Sequence, residues 1–331
     1  MKRRNFVQGT LQVGVAISVF GIHSCKPKQK EKEEVVTKEE VKTAPMLKLS
    51  LAQWSIHRMI KEEGMDPYMF ASKAKEWGFT GLEYVNQLYE NEQNTKGFSE
   101  EAMQHFVQRS KAESEKYGLE NLIIMIDHEG DLSAADEKER KAAVENHFKW
   151  VDAAAELGCH SVRVNLMGSK VADEWTEASV DGLTQLSNYA KTKNVNVIVE
   201  NHGGFSSHAQ MLVDVIKQVD LPNCGTLPDF GNFCVRREDG SYFSSPCIEE
   251  YDRYQGIEEL MPYAKAVSAK SHDFDKEGNE TNTDYARMMK IVSEAGYTGY
   301  VGVEYEGDEL GEAEGILATK ELLLKVMEQS M

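Results

Sequence analysis

From Leu47 onward the chain alternates short apolar runs with longer amphipathic stretches. The runs are LKLSLAQWSIH (47–57), FTGLEYV (79–85), NLIIMID (121–127), CHSVRVNL (159–166), VNVIVEN (195–201), CGTLPDF (224–230), AKAVSAKSH (264–272) and YVGVEYE (300–306). Short apolar runs of this kind, separated by helical patterns, read as strands buried on both faces. Between them apolar positions recur at helical spacing, as in DPYMFASKAKEWG, where Gly78 is the stop. Eight such units predict an α/β fold, a (β/α)8 TIM barrel forming a single domain over residues 46–331. A doubly wound sheet alternates in the same way. However, no GxGxxG follows the first run and no P-loop occurs anywhere. The repeated entry GFTG (78–81) and GYTG (296–299) also fits helices returning to start the next barrel strand.

The chain before Leu47 reads differently. Residues 1–25 pair KRRNF with the apolar stretch LQVGVAISVFGI and end in HSC. A charged start, a short apolar core and a terminal cysteine form an export signal, and the arginine pair resembles a twin-arginine signal. The expectation is a lipid on Cys25, removal of everything before it, and an exported protein anchored in the periplasm or on the outer surface. The apolar stretch falls short of the ~20 residues of a membrane span. Residues 26–45 alternate Lys and Glu with almost nothing to bury, which predicts a disordered charged tether.

Charge narrows the partners. The formal net charge is −18, of which residues 1–25 contribute +3 and residues 26–44 contribute +1, so the remainder carries −18 − 3 − 1 = −22. Such a body repels phosphate backbones, which excludes nucleic acid as a natural partner and disfavours doubly charged sugar phosphates. If Cys25 carries lipid, then Cys159, Cys224, Cys234 and Cys247 remain, with three possible pairings and no CxxC spacing for zinc. Cys159 reads as an inert core thiol.

Candidate chemistry gathers at the C-terminal ends of the strands, where such barrels build their sites. Reading the ends in order gives His57, Glu83, Asp127–His128–Glu129, Arg163 with Asn165, Glu200–Asn201–His202, Asp229 with Asn232, Lys270 with His272, and Glu304 with Glu306. Any one of these alone is an ordinary solvated loop residue. Their recurrence at all eight ends is what points to a site, because an unpaired charge buried in a strand is costly.

The strand-end motifs VIVEN, LPDFGN and VGVEYEG, together with the seventh strand, resemble those of the xylose isomerase-like sugar isomerase/epimerase barrels, which include the tagatose and psicose 3-epimerases. The resemblance implies one divalent metal held by the fifth-strand Glu200, the sixth-strand Asp229, a seventh-strand histidine and the eighth-strand Glu304. Mn²⁺ or Mg²⁺ is favoured and Co²⁺ or Zn²⁺ is possible. The seventh strand departs from the pattern, with Lys270 at the place of the histidine and His272 two residues on. Residues two apart face one side of a strand, and a protonated lysine has no lone pair to offer. His272 is therefore the expected fourth ligand and Lys270 an acid–base or substrate group. The resemblance further implies that Glu200 and Glu304 move protons next to a sugar carbonyl, while His57, Arg163, Asn165, His202 and Asn232 bind a small carbohydrate. The reading is a metal-dependent isomerase or epimerase of a non-phosphorylated sugar, with a homo-oligomer possible. The alternatives are a 3-keto-glycoside lyase working by β-elimination and a non-catalytic sugar-binding lipoprotein. The long connection Asn232–Gly256 is expected to form an ordered cover over the pocket.

Overall fold

The computed structural model describes residues 47–89 and 98–329. Cys25 and the segments 1–25 and 26–45 lie outside the described residues. Eight parallel strands form the core: β1 (Lys48–Ala52), β2 (Gly81–Val85), β3 (Glu120–Met125), β4 (Ser161–Val164), β5 (Asn196–Glu200), β6 (Cys224–Leu227), β9 (Val267–Ser271) and β10 (Tyr300–Tyr305). Two further strands, β7 (Cys234–Arg237) and β8 (Cys247–Glu250), make a separate antiparallel hairpin between β6 and β9. The large sheet runs β6-β5-β4-β3-β2-β1-β10-β9. Parallel bridges Thr226–Ala264 and Asp229–Ser268 then bring its two ends together, so the sheet closes into a barrel. The eight barrel strands are those the hydrophobic pattern predicts, and helices follow them on the outside. No helix among the described residues is long and apolar enough to cross a membrane.

Local chemistry sets the element ends. The helix Glu100–Tyr117 begins where Ser99 Oγ accepts the Ala102 N–H at 3.2 Å, and it stops at Gly118 in the left-handed region at φ +66°. The first run is cut shorter than its hydrophobicity implies. β1 ends at Ala52, Gln53–Ile56 form a 3₁₀ turn, and His57 opens a helix. Gln53 fixes that turn by accepting the Val85 N–H and donating to the Tyr89 hydroxyl and the Pro67 carbonyl.

The barrel interior is not wholly apolar. Glu83 on β2 points inward and is 1% exposed. Its Oε1 accepts the Ser50 hydroxyl at 2.5 Å, and its Oε2 has no partner. Gly302 on β10 makes room for it, since a Cβ there would lie 2.6 Å from Oε1. Burial pushes the Glu83 carboxyl up to about 7, against the opposing Ser50 hydrogen bond and with help from Glu200. The folded protein thus binds this proton more tightly than the unfolded chain. Its stabilising contribution is complete below the unfolded value of about 4.3 and is lost as pH rises through about 7. Glu83→Gln mimics the protonated form and should remove that loss. The Tm of the variant relative to wild type should therefore rise between pH 5 and pH 8 in thermal melts. Parallel melting curves at the two pH values would contradict this assignment.

Candidate active site

Three strand ends deliver carboxylates to one point. Glu200 closes β5, Asp229 lies two residues beyond β6, and Glu304 sits in β10. Each offers an oxygen within 4.8 Å of the others, and all three are buried. Asp229 Oδ1 accepts the N–H groups of Gly231 and Asn232, both at 2.9 Å. Glu200 Oε1 accepts from Asn232 Nδ2 at 3.0 Å, and Arg163 Nε lies 2.9 Å from Oε2 without hydrogen-bond alignment. Asn201 ties β5 to the LPDFGN loop: its amide donates to the carbonyls of Asp229 and Asn232, and its oxygen accepts the Asp229 N–H. The Ser268 hydroxyl stands between two acids, 2.6 Å from Asp229 Oδ2 and 3.0 Å from Glu304 Oε2. It has one proton and cannot donate fully to both. Burial pushes Asp229 up to about 6 and Glu304 up to about 8, with Lys270 opposing and Glu200 adding to both.

Lys270 is embedded in this cluster. It is 3% exposed, with Nζ 2.5 Å from Glu306 Oε1, 3.5 Å from Glu304 Oε2 and 3.9 Å from Asp229 Oδ2. Burial alone would depress its pKa. The carboxylates of Glu304, Glu306 and Asp229 outweigh burial and hold it well above its ordinary value. Gly231 gives the lysine its path, because a Cβ there would lie 2.7 Å from Lys270 Cγ.

The cluster opens into a cavity of about 700 Å³ whose wall includes Trp54, Asp127, Arg163, Asn165, His202 and Glu306. A polar chain runs along one side. His202 Nδ1 lies 2.9 Å from Asn165 Oδ1, Asn165 Nδ2 donates to Asp127 Oδ1 at 2.7 Å, and Arg163 Nη1 donates to the same oxygen at 2.8 Å. Burial would raise Asp127, but the Arg163 guanidinium overrides it and holds the carboxyl at about 2. Burial lowers the pKa of His202 and favours its neutral form, in which Nδ1–H is given to Asn165 and Nε2 is an acceptor.

The Asn232–Gly256 connection is ordered and reaches the cavity through Phe243, whose ring centroid lies 4.8 Å from that of His202. A Cys234–Cys247 disulfide closes its hairpin, while Cys159 and Cys224 are free and buried.

Residues 71–326 match the family described as xylose isomerase-like TIM barrel. The chain belongs to this family. Among known proteins it is similar to the C-glycoside deglycosidase alpha subunit of Arthrobacter globiformis, 33% identical over 79 residues, which is 22% of each chain. The chain thus spans about a fifth of that curated relative. A D-tagatose 3-epimerase-like protein shares the fold at TM-score 0.61 and 17% identity, covering 86% of this chain and 98% of its own. The E. coli 3-keto-D-glucoside 4-epimerase does so at TM-score 0.61 and 15% identity, covering 84% and 99%. The IOLI protein with a bound zinc atom does so at TM-score 0.62 and 15% identity, covering 86% and 99%.

As a member of this xylose isomerase-like family, the chain has a donor set that fits a divalent ion. Five buried or half-buried carboxylates (Asp127, Glu200, Asp229, Glu304, Glu306) face two cations (Arg163, Lys270), so with all five ionised 5 − 2 would leave three negative charges for an ion to offset. Three sequence-predicted residues sit elsewhere than expected. His272 is not part of the three-carboxylate group. Its N–H faces Glu280, while its ring edge lies beside Gly231, where a Cβ would stand 3.5 Å from Cε1, next to the Lys270 side chain. His57 does not line the cavity. It stacks under Trp54 at 4.4 Å and 9°, its Nδ1–H donating to the Trp54 carbonyl, so it backs the wall from behind. Asn232 likewise acts on Glu200 and is not part of the wall. Sequence reasoning missed Ser268, Trp54 and Phe243, whose side chains carry no charge to mark them.

Lys270→Met should leave the acids without their nearest cation. Removing one partner of a buried ion pair costs about 3–5 kcal/mol, so denaturant unfolding at pH 8 should show a loss of that order. The loss should shrink at pH 5, where protons neutralise the acids. An equal loss at both pH values would contradict the arrangement.

Proposed function

We propose that this protein is a divalent-metal-dependent isomerase or epimerase that moves a proton next to the carbonyl of a non-phosphorylated sugar or sugar derivative. The observation that carries this reading is the convergence of Glu200, Asp229 and Glu304 on one point, where Glu200 and Glu304 line a cavity and a buried ammonium lies beside them. Glu200, Asp229 and Glu304 would hold the ion, and this oxygen-only set suits Mn²⁺ or Mg²⁺. The ion supplies polarisation of the carbonyl and its neighbouring hydroxyl. Glu200 and Glu304 rise from strands three places apart in the closed ring, so they reach a sugar from different sides. One takes the proton from carbon and the other returns a proton to the opposite face. Lys270 stays charged throughout and places positive charge beside the oxygen where negative charge develops. Arg163 and His202 line the cavity, where sugar hydroxyls need both donors and acceptors.

A second reading, loss of an aglycone by β-elimination from a 3-keto-glycoside, begins with the same proton abstraction. The likeness to a C-glycoside deglycosidase subunit favours it. Export with a lipid on Cys25 belongs to either reading, and the Cys234–Cys247 disulfide supports an oxidising compartment.

The test is proton exchange in D₂O. Mn²⁺-loaded protein is incubated with free ketoses and with 3-keto-glycosides and followed by NMR. Deuterium next to the carbonyl with the skeleton intact is the expected result, and Glu200→Gln or Glu304→Gln should each slow it by about 10²–10⁴-fold. Release of the aglycone with a new alkene would establish the lyase instead. Absence of exchange with every substrate would remove both.

A further inference from the structure

Glu200, Glu304 and Glu306 come from the strand ends and form the floor of the cavity, with Asp229 and Lys270 packed against them, whereas part of its wall is built by loops and is apolar. We propose that this wall, made by Phe243 and Met167, is a subsite for an aromatic aglycone, so that the ligand is a sugar bearing a flat apolar ring and not a free ketose. The proposal rests on the reading of the floor as a sugar site.

Phe243 is 52% exposed, the only aromatic among the exposed large hydrophobic side chains of the described residues, and it lines the cavity. It is also held in place. The hairpin that carries it is closed by Cys234–Cys247. Arg237 Nε donates to the Tyr242 carbonyl at 2.8 Å, and the Tyr242 hydroxyl donates to the carbonyl of Met167. The Tyr242 ring sits on Gly203 and Gly204, where a Cβ on Gly204 would lie 2.6 Å from Cε1. A rigid aromatic face kept in water is ready to be covered by a ligand at little ordering cost.

The surroundings select the kind of group. Met167 lines the same cavity, and neither it nor Phe243 offers a strong donor or acceptor. Sugar hydroxyls pressed against them would lose water without replacement, which an apolar ring does not. Trp54 follows β1, four strands around the barrel from the β5 end that carries His202, so the opposing wall also bears an aromatic ring. The volume of about 700 Å³ lies in the upper half of the roughly 300–1,000 Å³ usual for ligand pockets, leaving room beyond a single sugar ring.

The experiment titrates methyl and phenyl 3-keto-β-D-glucosides, and a 3-keto disaccharide, into Mn²⁺-loaded full-length protein, following equilibrium binding and deuterium exchange in parallel. The phenyl glycoside should bind at least about tenfold more tightly than the other two, about 1.4 kcal/mol. Phe243→Ala should bring the phenyl-to-methyl affinity ratio close to one, and Phe243→Trp should restore it. Equal affinities accompanied by exchange would overturn the subsite and leave the proton-transfer reading standing. An equal gain for the disaccharide would overturn the choice of an aromatic ring. A phenyl preference without exchange would support the subsite and remove the proton-transfer reading, and binding of none of the three would overturn both.

Discussion

The mouth of the barrel depends on one electrostatic arrangement, an ammonium buried among carboxylates. Lys270 Nζ contacts Glu306 most closely, with Glu304 and Asp229 farther off. Charges this deep persist only when paired and hydrogen-bonded, and the surrounding sequence is shaped to that need. Gly231 lacks a side chain where the lysine passes. Ser268 places one hydroxyl between Asp229 and Glu304. Asn201 clamps the loop that positions Asp229. Lys270 is thus tied first to Glu306, which is outside the three-acid group, and lies farther from Glu304 and Asp229 within it.

A second dependency links this floor to the wall above it. The VIVENHGG stretch supplies Glu200 to the acids, Asn201 to the clamp and His202 to the cavity. Its glycines then form the seat for Tyr242 of the β7–β8 hairpin. Gly203 and Gly204 both lie at positive φ, so they serve the turn as well as the close approach of the ring. The acid cluster and the hairpin wall are thus positioned by one run of eight residues, and disturbing either reaches the other through a single loop.

Much of this was legible in the sequence. Eight apolar runs gave eight barrel strands, and the acids ending three of them meet in space. The failures share a cause. The pattern shows that a run is buried but not where its strand stops. His57 and His272 each lie inside an apolar run yet beyond the last strand residue, His57 by five positions and His272 by one. His57 therefore sits behind the wall, and His272 lies beside Gly231 outside the three-acid group. Glu83 shows the opposite case: it sits within its strand, and instead of reaching the cavity wall it is enclosed in the barrel, where Gly302 leaves space for it. Ser268, Trp54 and Phe243 were invisible because a serine in a strand, or an aromatic in a loop, has an ordinary structural use nearly everywhere. Only the closed barrel and the docked hairpin give them a place in the site.

The departure at Lys270 is where sequence and geometry together say most. A histidine at that position would contribute a lone pair and no obligatory charge. A lysine contributes charge and no lone pair. The exchange changes what the acids must do, since this position gives no lone pair to any cation they hold. In the proposed reaction it also places a permanent positive charge beside the oxygen that becomes negative when a neighbouring carbon loses its proton. That charge does not shuttle: the same carboxylates that surround Lys270 keep its proton bound far above neutral pH. Proton movement therefore falls to the glutamates, and the lysine stabilises charge without exchanging it.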